Sequence, residues 1–109
     1  METQTQTPKP KLEGAALLEI AAPLAAAIFW QTGASFSDLC GTNRRHDNAR
    51  VFFCSYLFRR RATAEDIARI LNKRPAVIKE FINQGRDDNS PLAVEFRRRI
   101  MDFYNGAHD

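Results

Sequence analysis

The sequence predicts an all-α fold, a small domain of five to six helices that contains a helix-turn-helix. Apolar residues recur at offsets of three and four, and Ser, Thr, Pro and Gly stand where helices would begin or end. No segment shows the sustained alternation of apolar and polar residues that a half-buried strand requires. The 109 residues, 44% of them hydrophobic, suffice for one domain with a modest core.

The first 33 residues divide into two predicted parts. Residues 1–11 are polar and proline-containing, and we expect a disordered lead-in. A helix is predicted over about residues 12–30, kinked or divided at Pro23, because proline lacks the amide donor and crowds the preceding turn. This helix is apolar nearly all round, so it needs cover from its own domain or from a partner. Residues 12–33 are therefore assigned to docking or dimerisation.

Membrane insertion and secretion are not expected. Glu19 and Pro23 interrupt the apolar segment and alanine is its commonest residue, so it falls short of the ~20 strongly apolar residues of a spanning helix. The opening METQTQTPKPK lacks the charged start and apolar run of a signal peptide. Cys40 and Cys54 form no disulfide framework and are interpreted as reduced thiols. These features favour a cytoplasmic protein.

Residues 34–61 are predicted to form a short helix, a basic loop and a long central helix. Ser35 has the position of an N-cap with Asp38 three residues on, and Gly41 ends this helix. The loop GTNRRHDN follows, and apolar residues at helical spacing then run from about Asp47 to Arg61.

The next stretch, TAEDIARILNKRPAVIKEFI, reads as two amphipathic helices joined by a tight corner. Thr63 is the predicted cap of the first helix, and Asn72, Lys73 and Arg74 form the corner. Pro75 stands at the first position of the second helix, where its missing amide is harmless. We predict that this second helix ends at Gly85. A last helix, from Leu92 to about Tyr104, is predicted to bury the following apolar side chains: Val94, Phe96, Ile100, Met101 and Phe103.

The positive charge of the chain is concentrated around this corner. Residues 44–79 carry ten Lys or Arg against three acids, a net of +7, whereas residues 1–41 carry a net of −2. Such segregation indicates an anionic partner rather than a particular fold. A helix-turn-helix that reads DNA holds its second helix outward, with polar side chains facing the base edges. The predicted base-reading residues are Arg74, Ala76, Lys79, Glu80 and Asn83. The residues predicted to contact phosphate or the minor groove are Arg44, Arg45, Arg50, Arg59, Arg60, Arg61 and Lys73.

The region from Ala34 to about Tyr104 resembles the C-terminal DNA-binding domain of the bacterial replication initiator DnaA, within the Trp-repressor-like helical group. The resemblance is carried by short segments in the family's order: Asp38-Leu39, Asn43-Arg44-Arg45, Ala49-Arg50, Cys54-Ser55-Tyr56-Leu57, Asp66-Ile67-Ala68 and Val77. It implies that residues 34–109 bind double-stranded DNA in replication or transcription control, at the bacterial nucleoid. It also implies that Arg44, Arg45 and Arg50 contact the backbone and minor groove. The family's run at the start of the reading helix is replaced by Lys73-Arg74-Pro75-Ala76-Val77, so the initiator's own target boxes are not expected.

Catalysis, metal binding and cofactor binding are not predicted. Cys40, His46, Cys54 and His108 fit no usual pattern of paired metal ligands, and no nucleophile stands at a motif spacing from a base. No phosphate-cradling glycine loop is present. The alternative interpretation is a helical adaptor that uses residues 12–31 to bind a protein or a second copy of itself, without binding DNA.

Overall fold

The structure, a computed structural model, describes residues 14–108, with side chains up to residue 106. It comprises six helices: α1 (Gly14–Thr32), α2 (Phe36–Cys40), α3 (Asp47–Arg59), α4 (Ala64–Leu71), α5 (Pro75–Asp87) and α6 (Pro91–His108). A 3-10 turn, Arg44–His46, precedes α3. No strand occurs within this part of the chain, and the all-α prediction is confirmed. The predicted lead-in and the start of the first helix at Leu12 lie outside the described residues.

The first helix runs unbroken through Pro23, so the alternative of a division at that residue is wrong. Leu17 and Ala21 before the proline, and Leu24 and Ile28 after it, are all buried. Burial on both sides of Pro23 outweighs the loss of one backbone hydrogen bond. Gly33 then ends the helix in the left-handed conformation at φ 79°, with its amide donating to the Phe29 carbonyl.

The core is built around α3, whose Phe52, Phe53, Cys54 and Leu57 are buried. Helices α1 and α6 pack against each other, as do α4 and α5. Helices α1, α4 and α5 contact α3, and Phe96 of α6 packs edge-on against Phe52. This arrangement buries one side of α1 against its own domain. Of the two alternatives predicted for α1, cover by its own domain or by a partner, the first is therefore confirmed for the buried side.

Two predictions about helix ends and burial are wrong. Gly85 does not end α5, which continues to Asp87. On α6, Val94 and Phe103 are exposed, whereas Ile100 and Tyr104 face the core. Phe103 instead stacks on exposed Trp30 of α1, with ring centroids 6.1 Å apart, because the two helices pack side by side.

The other side of α1 remains apolar and uncovered. Leu18, Phe29 and Phe36 of α2 are exposed and line an open groove together with alanines of α1. By length and composition α1 is also the one described helix that could cross a membrane, with 28% of the relevant window buried. Its buried side chains belong to the same core cluster as those of α3 and α4.

Candidate nucleic-acid interface

The helix-turn-helix is formed by α4, a three-residue corner and α5. The hydroxyl of Thr63 accepts a hydrogen bond from the Asp66 amide (3.1 Å), as predicted for the cap of α4. Asn72 adopts the left-handed conformation at φ 55°, and the Lys73 amide donates to the Ala68 carbonyl (2.9 Å). This is the Schellman pattern, which reverses the chain within the corner. Pro75 occupies the first turn of α5, as predicted.

The inner face of the motif is fixed by packing. Ile67, Ala68 and Leu71 of α4 and Ile78 and Ile82 of α5 are buried. These apolar contacts hold α4 and α5 at a fixed angle to each other and to α3.

At Gly85, α5 approaches α3 closely. A Cβ at Gly85 would stand 2.7 Å from the Cβ and Oγ of Ser55 and 3.2 Å from a methyl group of Val51. A side chain cannot fit there without a shift of one helix. The glycine that was predicted to end α5 therefore lets it lie against α3.

The outer face of α5 carries the predicted base-reading residues. Arg74, Ala76, Lys79, Glu80 and Asn83 are all exposed. From Ala76 onward their spacing of three, four and seven places them on one side of the helix. Arg74 precedes Pro75 as the N-cap residue, so the row begins at the N-terminal end of α5.

The basic loop lies next to the corner. Lys73 Nζ donates to the Gly41 carbonyl at 2.5 Å, and this bond joins the corner to the start of the loop. Within the loop, the side-chain oxygen of Asn43 caps the 3-10 turn by accepting from the Arg45 amide (3.0 Å). Arg44 and Arg45 are exposed. The structure thus brings the start of the loop that carries these arginines to the corner that precedes α5.

The prediction that Arg50 contacts DNA is wrong in this structure, because its side chain is only 1% exposed. The guanidinium donates to the carbonyls of Asp38, Leu39 and Asn43 and to the carboxylate of Asp47, at 2.6–3.0 Å. Four hydrogen bonds satisfy a buried charge and leave it inaccessible to a phosphate.

The three arginines at the end of α3 and just beyond it do not act as one rim. Arg61 lines a cleft with Lys79, Asn83 and Arg86, between the α3–α4 turn and α5. Arg59 and Arg60 instead line a cleft beside α6, which corrects their predicted place beside the reading helix. The divergence arises because α3 ends at Arg59 and Arg61 turns the chain in the left-handed conformation at φ 83°.

Arg86 is a candidate residue that sequence reasoning missed. It lies just beyond Gly85, the predicted end of the helix, yet it is exposed in the same cleft as Lys79. Its guanidinium donates to the side-chain oxygen of Asn83 (2.8 Å). The signal that could have found it is spacing: Arg86 follows Lys79 by seven residues and Asn83 by three, which is one helical face if α5 continues.

Most positive groups of this face lack acidic partners, and the exception is Arg86, whose Nε lies 3.7 Å from the Asp87 carboxylate. Among the described side chains, Arg44, Arg45, Arg74 and Lys79 are in no salt bridge, whereas Arg69 is paired with Asp66 on α4. Glu65 and Glu80 lie on or near the same face without neutralising these cations. The loop and the first turns of α5 therefore present cations that are in no salt bridge, whereas Arg86 at the end of α5 is paired.

The Asp38 carboxylate and the thiols of Cys40 and Cys54 have structural roles. The Ser35 amide donates to the Asp38 carboxylate (2.9 Å), and this hydrogen bond lowers the pKa of Asp38 below its ordinary value. The reciprocal bond, from the Asp38 amide to the Ser35 hydroxyl, completes the predicted capping box of α2. Burial raises the pKa of the Cys54 thiol to about 12 and also raises the pKa of Cys40. Neither thiol is activated as a nucleophile.

Within the described part of the chain, no three His, Cys, Asp or Glu side chains converge on a point that could hold a metal ion. The side chain of His108, one of the residues considered for such a site, is outside the described side chains. Comparison of the chain with protein-family models, curated proteins and solved structures returns no match.

Proposed function

We propose that this protein binds double-stranded DNA, with α5 entering the major groove and the basic loop contacting the backbone or minor groove. The observation that carries the proposal is the outer face of α5. Five side chains of the types that can contact base edges or a thymine methyl are exposed there, on a helix held outward by packing. A site of this kind reads DNA without catalysis or a cofactor.

The flanking cations supply the sequence-independent part of the affinity. Arg44, Arg45 and Lys73 stand at the N-terminal end of α5, and Arg61 and Arg86 stand beside its later turns. Cations at both ends of a reading helix can contact phosphates on either side of a groove, and such contacts fix orientation without selecting sequence.

The resemblance to the DNA-binding domain of DnaA suggests a role in replication or transcription control, in the cytoplasm at the bacterial nucleoid. The order of the elements supports this part of the proposal: a short capped helix, a basic loop, a long helix, the helix-turn-helix and a final helix. The first helix, α1, has no counterpart in that resemblance.

Fluorescence anisotropy with labelled random-sequence duplexes at two salt concentrations tests the proposal. We expect the association constant to fall steeply with salt, with a log–log slope of about −0.9 for each phosphate neutralised. Arg45→Ala should lower affinity about equally for all sequences and make the slope shallower by about 1, whereas Lys79→Ala or Asn83→Ala should change which selected sequences bind. Arg99→Ala on α6 is the matched control. A chain that ignores duplex DNA at low salt would disprove the proposal.

A second candidate function is protein binding through residues 12–31. It is favoured by the open apolar groove, of about 560 Å³, that α1, α2 and Ile70 form. Exposed apolar patches of this kind are common at contacts with a partner or a second copy. A homodimer would also present two reading helices to DNA. Light scattering distinguishes the cases: Phe29→Glu should convert a dimer to a monomer, and a chain that is monomeric before the change would exclude self-association.

A further inference from the structure

Arg50 is buried at the junction of α2, the basic loop and α3. Its Nε donates to the Leu39 carbonyl (3.0 Å) and one terminal nitrogen donates to the Asp38 carbonyl (2.8 Å). The other terminal nitrogen donates to the Asn43 carbonyl (2.9 Å) and to the Asp47 carboxylate (2.6 Å). One side chain of α3 therefore holds backbone groups at both ends of the segment between α2 and the 3-10 turn.

The chemistry of this position suits arginine in particular. The Asp38 carbonyl also accepts from the Gly41 amide that caps α2 (3.1 Å), and the carbonyls of Asp38 and Leu39 lie at the negative end of the helix dipole. A planar guanidinium presents several donors in fixed directions and stays charged, so it can bind several such carbonyls at once. Lysine has one nitrogen on a flexible stem and cannot reach all four acceptors together.

The segment that Arg50 holds is also bound by the corner of the helix-turn-helix. Lys73, in the corner of the helix-turn-helix, donates to the Gly41 carbonyl, which lies between the two points that Arg50 contacts. The loop is thus attached to α3 by one cation and to the corner by another. Its position relative to the start of α5 follows from these two attachments.

We propose that Arg50 is a positioning residue for DNA binding: it orders the basic loop so that Arg44 and Arg45 reach the duplex together with α5. This inference rests on the proposed function. Arg50 touches no DNA itself, and its contribution passes through the two exposed arginines that follow Asn43. Ordering the loop before binding removes an entropic cost that would otherwise fall on the complex.

The test compares the salt dependence of duplex binding for Arg50→Gln and Arg50→Lys in the full chain. If the loop arginines no longer reach phosphate, the log–log slope becomes shallower by about 1.8, from about 0.9 for each of two phosphates. The double variant Arg44→Ala with Arg45→Ala should show the same change, and adding Arg50→Gln to it should change the slope no further. Arg50→Lys should resemble Arg50→Gln, although it keeps the charge.

Two controls separate positioning from simple loss of structure. Circular dichroism at the assay temperature identifies which variants are folded. If Arg50→Gln is unfolded, the test uses Arg50→Lys instead. Arg60→Lys, on the α6 side just beyond the end of α3, is the matched substitution and should leave the slope unchanged. Faster hydrogen exchange of the amides of residues 41–46, with α4 still protected, would show directly that the loop has been released.

The outcomes distinguish the two proposals. A wild-type chain that binds duplexes with a steep slope, together with a folded Arg50→Lys variant of equal slope and affinity, overturns the positioning role alone. Effects of the loop double variant and of Arg50→Lys that add independently would also overturn it, because a residue acting through Arg44 and Arg45 has no effect in their absence. A wild-type chain that does not bind duplexes overturns the proposed function and this inference with it.

Discussion

The arginines of α6 and the cations around α5 differ in their surroundings as well as in their number. On α6, Arg98 and Arg99 donate to the Glu95 carboxylate, Arg98 also pairs with Asp102, and Arg97 donates to a backbone carbonyl. Around α5, the described side chains of Arg74 and Lys79 form no salt bridge. A run of arginines therefore predicts a nucleic-acid surface only where acids do not stand three or four residues away.

The largest expected effect comes from reversing two charges on each surface. Arg74→Glu with Lys79→Glu should lower duplex affinity by roughly 2–6 kcal/mol, because each of the two side chains is expected to supply about 1–3 kcal/mol through its base pair. Arg97→Glu with Arg99→Glu changes the net charge equally but should have a far smaller effect, because those residues lie on α6. Anisotropy at one salt concentration measures both. Equal reductions in affinity would mean that total charge, rather than its placement, governs binding.

The next largest effect concerns the free energy of unfolding and how closely each surface helix packs on the rest of the domain. Gly85→Ala forces a methyl group to within 2.7 Å of Ser55, and we expect the free energy of unfolding to fall by about 1–3 kcal/mol as α5 moves from α3. Gly106→Ala is the matched control on α6, since nothing lies within 4 Å of a Cβ there. It should gain roughly 0.5–1 kcal/mol from its helical position. Urea unfolding measures both variants, and a neutral Gly85→Ala would contradict the close approach of α5 to α3.

A smaller effect distinguishes Arg61, which lies beyond α3, from Arg59 at the end of that helix. Arg61 is held at φ 83°, a conformation that favours glycine, so Arg61→Gly should raise the free energy of unfolding by about 1 kcal/mol. The same change removes a cation from the cleft of Lys79 and Asn83, so duplex affinity should fall and the salt slope should become shallower by about 0.9. Arg59→Gly, beside α6, should leave the slope unchanged. An Arg61→Gly variant in which stability and duplex affinity both rise, or both fall, would disprove this assignment.

Local signals in the sequence predicted most of the helices and their caps. Ser35 with Asp38, Thr63 and Pro75 act within one turn of their own positions, so neighbouring residues suffice to interpret them. The five outer residues of α5 were predictable for a related reason, because the apolar residues between them define the buried face and leave the remainder exposed.

Features that depend on distant parts of the chain were not predictable in this way. Arg50 has the helical spacing of a surface residue, and only the assembled carbonyls of α2 and the loop explain its burial. In the sequence Gly85 has the pattern of a helix stop. Only the structure shows that Ser55 of α3 occupies the space that a side chain at this position would need. The cleft that Arg59 and Arg60 line likewise depends on where α6 packs.

The smallest expected effect tests whether pairing with acids keeps α6 out of the proposed interface. Hydrogen bonds from Arg98, and then from Arg99, lower the pKa of Glu95 below its ordinary value. A carboxylate whose pKa is lowered by folding stabilises the folded chain above its unfolded pKa, and this contribution is lost as pH falls through the lower, folded pKa. Nuclear magnetic resonance should therefore find that the Glu95 carboxyl titrates below its ordinary range, and that Arg98→Ala moves the midpoint upward.

Glu95→Gln removes the negative charge that neutralises these arginines and leaves the shape of α6 unchanged. If pairing is what keeps α6 from DNA, the variant should bind random duplexes more tightly, with a slope steeper by no more than about 0.9 for each arginine released. Glu19→Gln is the control, since it removes a negative charge from an exposed residue of α1 and leaves the pairs of α6 intact. Unchanged binding by Glu95→Gln would show that the position of α6, rather than its acids, excludes it. The contrast between the two surfaces would then be geometric, and the acids of α6 would serve only to stabilise that helix.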